Sequence, residues 1–178
     1  LIIDRARIAY SLSEKNNDVF LYDYKDLVDV YYIGGTKCGA LFGEAVIFNN
    51  RDLSKNFRYS IKQRGGMLAK GFLLGSQFNT LFSNNLYYEI GKYANDIAYA
   101  LNQELEKRNI KMLSNRVSNQ LFVILDNDVI NKLEKDYSFE KWQVIDEYNT
   151  AIRLCISWGT NKDIVFKFIE DLDQYISL

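Results

Sequence analysis

The sequence predicts an α/β chain whose first part contributes to a mixed sheet and whose last part forms a small α+β lobe. Three observations carry this. Two β-rich runs broken by glycines, VYYIGGTKCGALFGEAVIF, span Val30 to Phe48. A long amphipathic stretch from Tyr87 to Arg108 sets Ile90, Tyr93, Ala94, Ile97, Leu101 and Leu105 at the three-four spacing of a buried helical stripe. Beyond it the pattern changes to short β-rich runs interleaved with helical ones, the order of a lobe built on an antiparallel sheet. The change places a boundary near Leu81 to Asn85, with domains at 1–82 and 83–178.

Taken in order, Leu1 to Ile3 is an apolar run that stops at Asp4. Such a run is how a buried parallel strand delivers a carboxylate to the rim of its sheet, where α/β ligand sites lie. Asp4 could equally cap a helix over Arg5 to Leu12. Ser13 to Asp18 is polar loop and Tyr22 to Val28 a short helix or turn. Val30 to Ile33 and Ala40 to Phe48 are strands on either side of the glycine break. Leu68 to Phe82 is an apolar helix, followed by the long helix from Tyr87. In the second part, Ile110 to Leu113, Gln120 to Leu125, Tyr137 to Gln143 and Ala151 to Trp158 are expected as strands. Asn127 to Asp136 and Lys162 to Ile176 are expected as helices.

The bulk numbers narrow the class. The chain has 178 residues, 48% hydrophobic and 25% charged, which suits a globular core and not a disordered segment. Its 22 Lys and Arg against 23 Asp and Glu leave a net charge of -1, with no electrostatic footprint for nucleic acid or an anionic membrane. No apolar run approaches the length of a membrane span. Two cysteines, Cys38 and Cys155, are too few for a disulfide framework, so a reducing, cytoplasmic setting is expected. Histidine is absent, which removes Ser-His and Cys-His schemes and the usual zinc sites, and no metal is expected. The chain opens directly in an apolar run without an initiator methionine, as a portion of something longer would.

Chemistry concentrates at Lys37. It stands between Thr36 and Cys38 with Gly34, Gly35 and Gly39 close by, where the backbone must turn tightly or approach something closely. An amine at a strand terminus, partly desolvated, has its pKa pushed down and can form a Schiff base with an aldehyde or ketone. An ordinary loop lysine between two strands is the competing reading. From Asn50 to Gly75 runs a basic segment in which Gly65 and Gly66 follow Lys62 and Arg64. Backbone donors at that turn would suit a phosphate, and a solvated amphipathic helix ending in a turn would look the same. Arg153 stands among Ile152, Leu154, Cys155 and Ile156, where a charge requires a partner. That partner could be an anionic ligand such as a carboxylate, or a structural ion pair.

Asp4 with Arg7, then Thr36 and Lys37, then Lys62 with Gly65 and Gly66, then Arg153 follow the order and spacing of one family. The segments IIDRARIAYSL, IGGTKCGALFGEAVIF, KQRGGMLAKG, SNQLFVIL and AIRLCISWGT resemble the C-terminal half of the low-specificity threonine aldolases, fold type I enzymes that use pyridoxal phosphate. The resemblance covers essentially the whole chain. It implies the C-terminal part of the fold type I large-domain mixed sheet, followed by a small α+β lobe. It further implies that Lys37 holds the cofactor as a Schiff base, and that Asp4 pairs with the protonated pyridine nitrogen so that the ring remains an electron sink. Arg7 would lie beside the cofactor and the substrate carboxylate, Thr36 would border the cofactor, and Arg153 would clamp that carboxylate. Lys62, and more weakly Arg64, would contact the cofactor or a partner subunit.

The reaction so implied is aldol cleavage of a threonine-like β-hydroxy-α-amino acid to glycine and an aldehyde, in a homo-oligomer with sites at subunit interfaces. Other fold type I chemistry, β-elimination or transamination, is the alternative, and product analysis separates them. A catalytically silent chain serving as a binding or assembly module is a third possibility. Two departures from the family stand out: Arg5 replaces the glycine usual after the strand aspartate, and Ile3 the histidine common before it. The ring-stacking imidazole and the phosphate loop would lie in the N-terminal half. These residues alone are therefore not expected to bind the cofactor stably, and a Schiff-base absorbance band from them would refute that.

Overall fold

The computed structural model describes residues 1–4 and 6–176, so the expectations that involve Arg5 fall partly outside the described residues. The chain divides into two compact units, Leu1–Gly91 and Lys92–Leu178, and the division falls within one long helix.

The first unit is built on a three-stranded mixed sheet in the order β1-β2-β3. Strand β1 (Ile2–Ile3) pairs parallel with β2 (Val30–Gly34), and β2 pairs antiparallel with β3 (Glu44–Phe48). As the central strand, β2 is apolar nearly throughout and buried at Val30, Tyr31, Ile33 and Gly34. Helix α1 (Ile8–Leu12) buries Ile8, Ala9 and Tyr10. It begins at Ile8 with Arg7 in the capping position and no side-chain cap, so Asp4 is not the cap of a helix from Arg5. A 3-10 turn at Leu21–Asp23 leads into α2 (Tyr24–Leu27), matching the expected short helix. After β3 come α3 (Phe57–Gln63), α4 (Phe72–Phe82) and α5 (Leu86–Lys107).

Two expected boundaries move. Strand β3 starts at Glu44 and not Ala40, because the backbone is left-handed at Gly39 and again at Gly43, with φ of 96° and 97°, which breaks the extended run. Helix α4 starts at Phe72 and not Leu68, after a turn that carries Gly71 at the helix entry.

In the second unit β4 (Gln120–Asp126), β6 (Asn149–Cys155) and β5 (Glu140–Val144) form an antiparallel sheet in the order β4-β6-β5. Strand β4 alternates half-buried and buried positions, as a strand with one covered face should. That face, with Leu121, Val123, Ile152 and Leu154, belongs to a core shared with α6 (Asn127–Leu133), α7 (Lys162–Ile176) and the C-terminal part of α5. Leu121, Leu133, Ile152 and Leu172 are fully buried there, each stabilising the fold by about 1.5–3 kcal/mol. Asp126 starts α6 by accepting the Asp128 amide at 2.7 Å. The expected strand at Ile110 to Leu113 reduces to a single bridge, Met112 to Val123, since the chain leaves α5 through Asn109 in a left-handed turn. The other two strands shift: β5 starts at Glu140 and not Tyr137, and β6 ends at Cys155, before a turn in which Thr160 Oγ1 accepts the Ser157 amide.

A forked ion pair ties α5 to α7. Arg108 Nε and Nη2 donate to the two Asp173 oxygens at 2.5 and 2.7 Å, while Nη1 donates to Glu104 Oε2 at 2.8 Å. Among the described residues no helix is long and apolar enough to cross a membrane. The two thiols differ sharply: Cys38 is fully buried and Cys155 exposed.

Two measurements follow from these contacts. Arg108 holds the Asp173 carboxyl below the usual carboxylate range, and Lys107 with Arg108 does the same to Glu104. Both are depressions, so the stabilisation is complete above the unfolded-chain values near pH 4 and is lost as pH falls through the lower folded values. Solvent screening keeps it modest. Arg108→Gln should therefore lower the urea midpoint at pH 7, with the gap to the unsubstituted protein narrowing toward about pH 3; a gap of constant size would contradict this. A thiol reagent should titrate one cysteine rapidly in the native protein and the second only on unfolding. Two rapid thiols would mean that Cys38 is not buried.

Candidate functional site

Because β1 and β2 run parallel, with Ile2 opposite Val30 and Ile3 opposite Tyr31, both leave the sheet at the same edge. Asp4 is the next residue after β1. Beyond β2 the chain passes Gly35 into a 3-10 turn, Thr36–Cys38, that carries Lys37. This carboxyl edge is where open α/β sheets bind ligands. The two crossings are pressed together by Gly34, where a Cβ would stand 2.8 Å from the Ala6 carbonyl oxygen. Only a bare backbone lets the end of β2 lie that close to the turn at Ala6 and Arg7. Asp4, Thr36 and Lys37 are exposed there and Arg7 is half-buried, so the structure brings these four to one edge.

The Lys37 turn is braced from inside. The Cys38 and Ala40 amides both donate to the Gly35 carbonyl, at 2.8 and 3.1 Å, and Gly39 closes the turn. The Tyr10 hydroxyl donates to the Lys37 carbonyl at 2.5 Å, and the Tyr87 hydroxyl donates to the Gly34 carbonyl at 3.1 Å. Cys38 packs inward beneath the turn while its neighbour Lys37 faces solvent. Burial raises the Cys38 thiol pKa; burial, reinforced by the neighbouring Cys38, also raises that of the Tyr87 hydroxyl. Lys37 is thus exposed, whereas the sequence led us to expect it partly desolvated.

At Gly65 and Gly66 the structure takes the second of the two readings, a helix ending in a turn. The Gly65 amide donates to Lys62 O at 3.1 Å and the Gly66 amide to Ile61 O at 2.8 Å. Both amides close the C-terminus of α3, so they are not free to receive a phosphate, and the helix end beside them carries the negative end of its dipole. Lys62 and Arg64 are exposed, Lys62 in the last turn of α3 and Arg64 just past its end.

In the second unit Arg153 lies opposite Phe122 of β4 and Glu140 of β5. Its guanidinium is ion-paired with Glu140 and sits 5.2 Å from the centre of the Trp142 ring, which in turn meets Phe122 edge-on. This is the structural ion pair that the strand sequence allowed.

Sequence reasoning did not single out Tyr10, Tyr87 or Cys38. Of the stripe expected to be buried on α5, Tyr93 is exposed at 44%, its hydroxyl donating to the Thr160 carbonyl, whereas Tyr87 is fully buried. The missing signal is that a buried hydroxyl must find an acceptor, and here the acceptors are the carbonyls of the lysine turn.

No family model matches the chain. It is 27% identical over 150 residues to a low specificity L-threonine aldolase of Pseudomonas aeruginosa, a match covering 84% of this chain and 42% of that protein. A solved threonine aldolase of Leishmania major superposes with a TM-score of 0.96 at 41% identity, over 99% of this chain and 52% of that one. A Clostridium difficile protein solved with pyridoxal phosphate bound shares the fold alone, with a TM-score of 0.67 at 10% identity, over 98% of this chain and 49% of that one. The chain thus spans about half the length of the relatives it matches. In sequence and in fold, it is related to the C-terminal half of the low-specificity threonine aldolases, on the fold type I scaffold.

Proposed function

We propose that this chain supplies the lysine-bearing part of a pyridoxal-phosphate lyase that cleaves a threonine-like β-hydroxy-α-amino acid to glycine and an aldehyde. The observation that carries the proposal is the shared carboxyl edge, where an exposed amine and an exposed carboxylate follow adjacent parallel strands. A cofactor with an aldehyde at one position of its ring and a basic nitrogen at another needs such a pair. Lys37 is the residue that would hold the aldehyde carbon, and Asp4 the one that would keep the ring nitrogen protonated. Thr36 would border the cofactor and Arg7 the substrate carboxylate. When bound, the cofactor withdraws the electrons left at the α-carbon as the Cα–Cβ bond breaks.

The chain's own residues set how that happens. Lys37 must reach the carbonyl carbon as a free amine, so a braced turn shortens the search for the reactive geometry. Asp4, exposed at the same sheet edge, would present its carboxyl to the ring nitrogen. We assign Arg153 to the substrate carboxylate, where a fork of donors fixes which bond at the α-carbon is aligned to break. To do so it must exchange the Glu140 carboxylate for that of the substrate, a modest cost for a partly exposed pair. Lys62, exposed on α3, is assigned to the cofactor or to a partner subunit in a homo-oligomer. The chain holds no histidine, so an imidazole stacking on the ring would have to come from residues outside it.

Two tests bear on this. In the active assembly, borohydride added with pyridoxal phosphate should leave a pyridoxyl group on Lys37 in preference to the exposed Lys25 and Lys55. Label spread evenly, or absent from Lys37, would refute the assignment. In the active assembly Lys37→Ala should reduce formation of glycine and aldehyde from threonine by on the order of a thousandfold or more. Ammonia and a ketoacid as products would instead favour β-elimination.

A further inference from the structure

We propose that Tyr10 and Tyr87 are positioning residues for Lys37: two buried hydroxyls, one from α1 and one from α5, clamp the carbonyl oxygens that bracket its turn. The proposal deepens the function above and rests on it for chemistry, but not for geometry. The turn is short, and a 3-10 segment of three residues has little stability of its own. Its internal bonds converge on one acceptor, the Gly35 carbonyl. The carbonyls that flank this core, Gly34 before it and Lys37 within it, are held by side chains from elsewhere in the unit.

Both tyrosines are almost fully buried, at 1% and 0% exposure, so neither hydroxyl has water as an alternative partner. Cys38, the residue after the lysine, is itself fully buried beneath the turn. The helices that present the two hydroxyls approach closely, since a Cβ at Gly91 of α5 would stand 2.4 Å from the Ala9 carbonyl oxygen of α1 and 2.7 Å from the Ser13 hydroxyl just beyond it. The clamp is therefore rigid, and it acts on the backbone of the lysine while leaving the side chain in solvent. Phenylalanine would fill the same space without donating, which makes it the informative replacement.

The test compares Tyr10→Phe and Tyr87→Phe with Tyr148→Phe, a change at an exposed tyrosine of the second unit. Amide hydrogen exchange, which needs no cofactor, should accelerate over residues 35–40 in both clamp variants, roughly three- to tenfold, and not in the control. The ratio of pyridoxyl label on Lys37 to that on Lys25 should fall by a similar factor, because a change confined to the turn leaves Lys25 untouched. Unchanged exchange at 35–40 in both variants would overturn the clamp. So would acceleration spread over the whole first unit, which marks the tyrosines as packing residues only. If the unsubstituted protein showed no preference for Lys37, the proposed function would fail while the exchange result still decided the clamp.

Discussion

The parallel pairing of two short strands, β1 against β2, is the constraint on which the rest of the site depends. Parallel strands deliver their following residues to the same edge, and antiparallel ones would not. With only two residues in β1, the pairing is thin, and it is reinforced by the close approach of Gly34 to Ala6. A side chain at that glycine would push the turn after Asp4 off the end of β2. The carboxylate and the amine thus share a sheet edge because of a backbone contact that neither of them makes.

The Lys37 turn shows a division of labour between its faces. Inside, Tyr10, Tyr87 and Cys38 are buried, and the two tyrosine hydroxyls are matched to backbone carbonyls of the turn. Outside, Thr36 and Lys37 are in solvent. A reactive amine benefits from this arrangement, since its reach is fixed by atoms that it cannot disturb when it changes partner. Arg153 shows a similar principle in the second unit. Glu140 and the Trp142 ring hold the guanidinium on its sheet, so little rotamer freedom would remain to be lost if a carboxylate ligand took the place of Glu140.

Much of this was legible in the residues themselves. Strand β2, strand β4 and helices α5 and α7 follow from periodicity and burial pattern, since each pairs a continuous or alternating apolar signal with tertiary cover. What failed did so where local signals compete with backbone geometry. Ala40 to Gly43 looks like the start of a strand but lies between two left-handed glycines. Ile110 to Leu113 has strand composition but enters from a left-handed Asn109 and keeps one bridge. Gly65 and Gly66 allowed a phosphate turn or the end of a solvated helix, and the second holds because the carbonyls ending α3 are the nearer acceptors of their amides. Lys37 and Asp4 stand out in the sequence because unusual residues sit beside glycine or at the end of an apolar run, and the structure brings both to one sheet edge. Tyr10 and Tyr87 do not, because their contribution depends on which carbonyl a hydroxyl meets after folding.

The relation to threonine aldolases adds a cofactor to this geometry, and it makes Asp4 the residue that separates a shared site from a coincidence of exposed charges. The direct measurement is the nitrogen-15 shift of ring-labelled pyridoxal phosphate after borohydride has fixed it to Lys37. A protonated ring nitrogen that loses its proton in Asp4→Asn is the result expected if carboxylate and amine address one ligand. The same shift with and without the Asp4 carboxylate would contradict it.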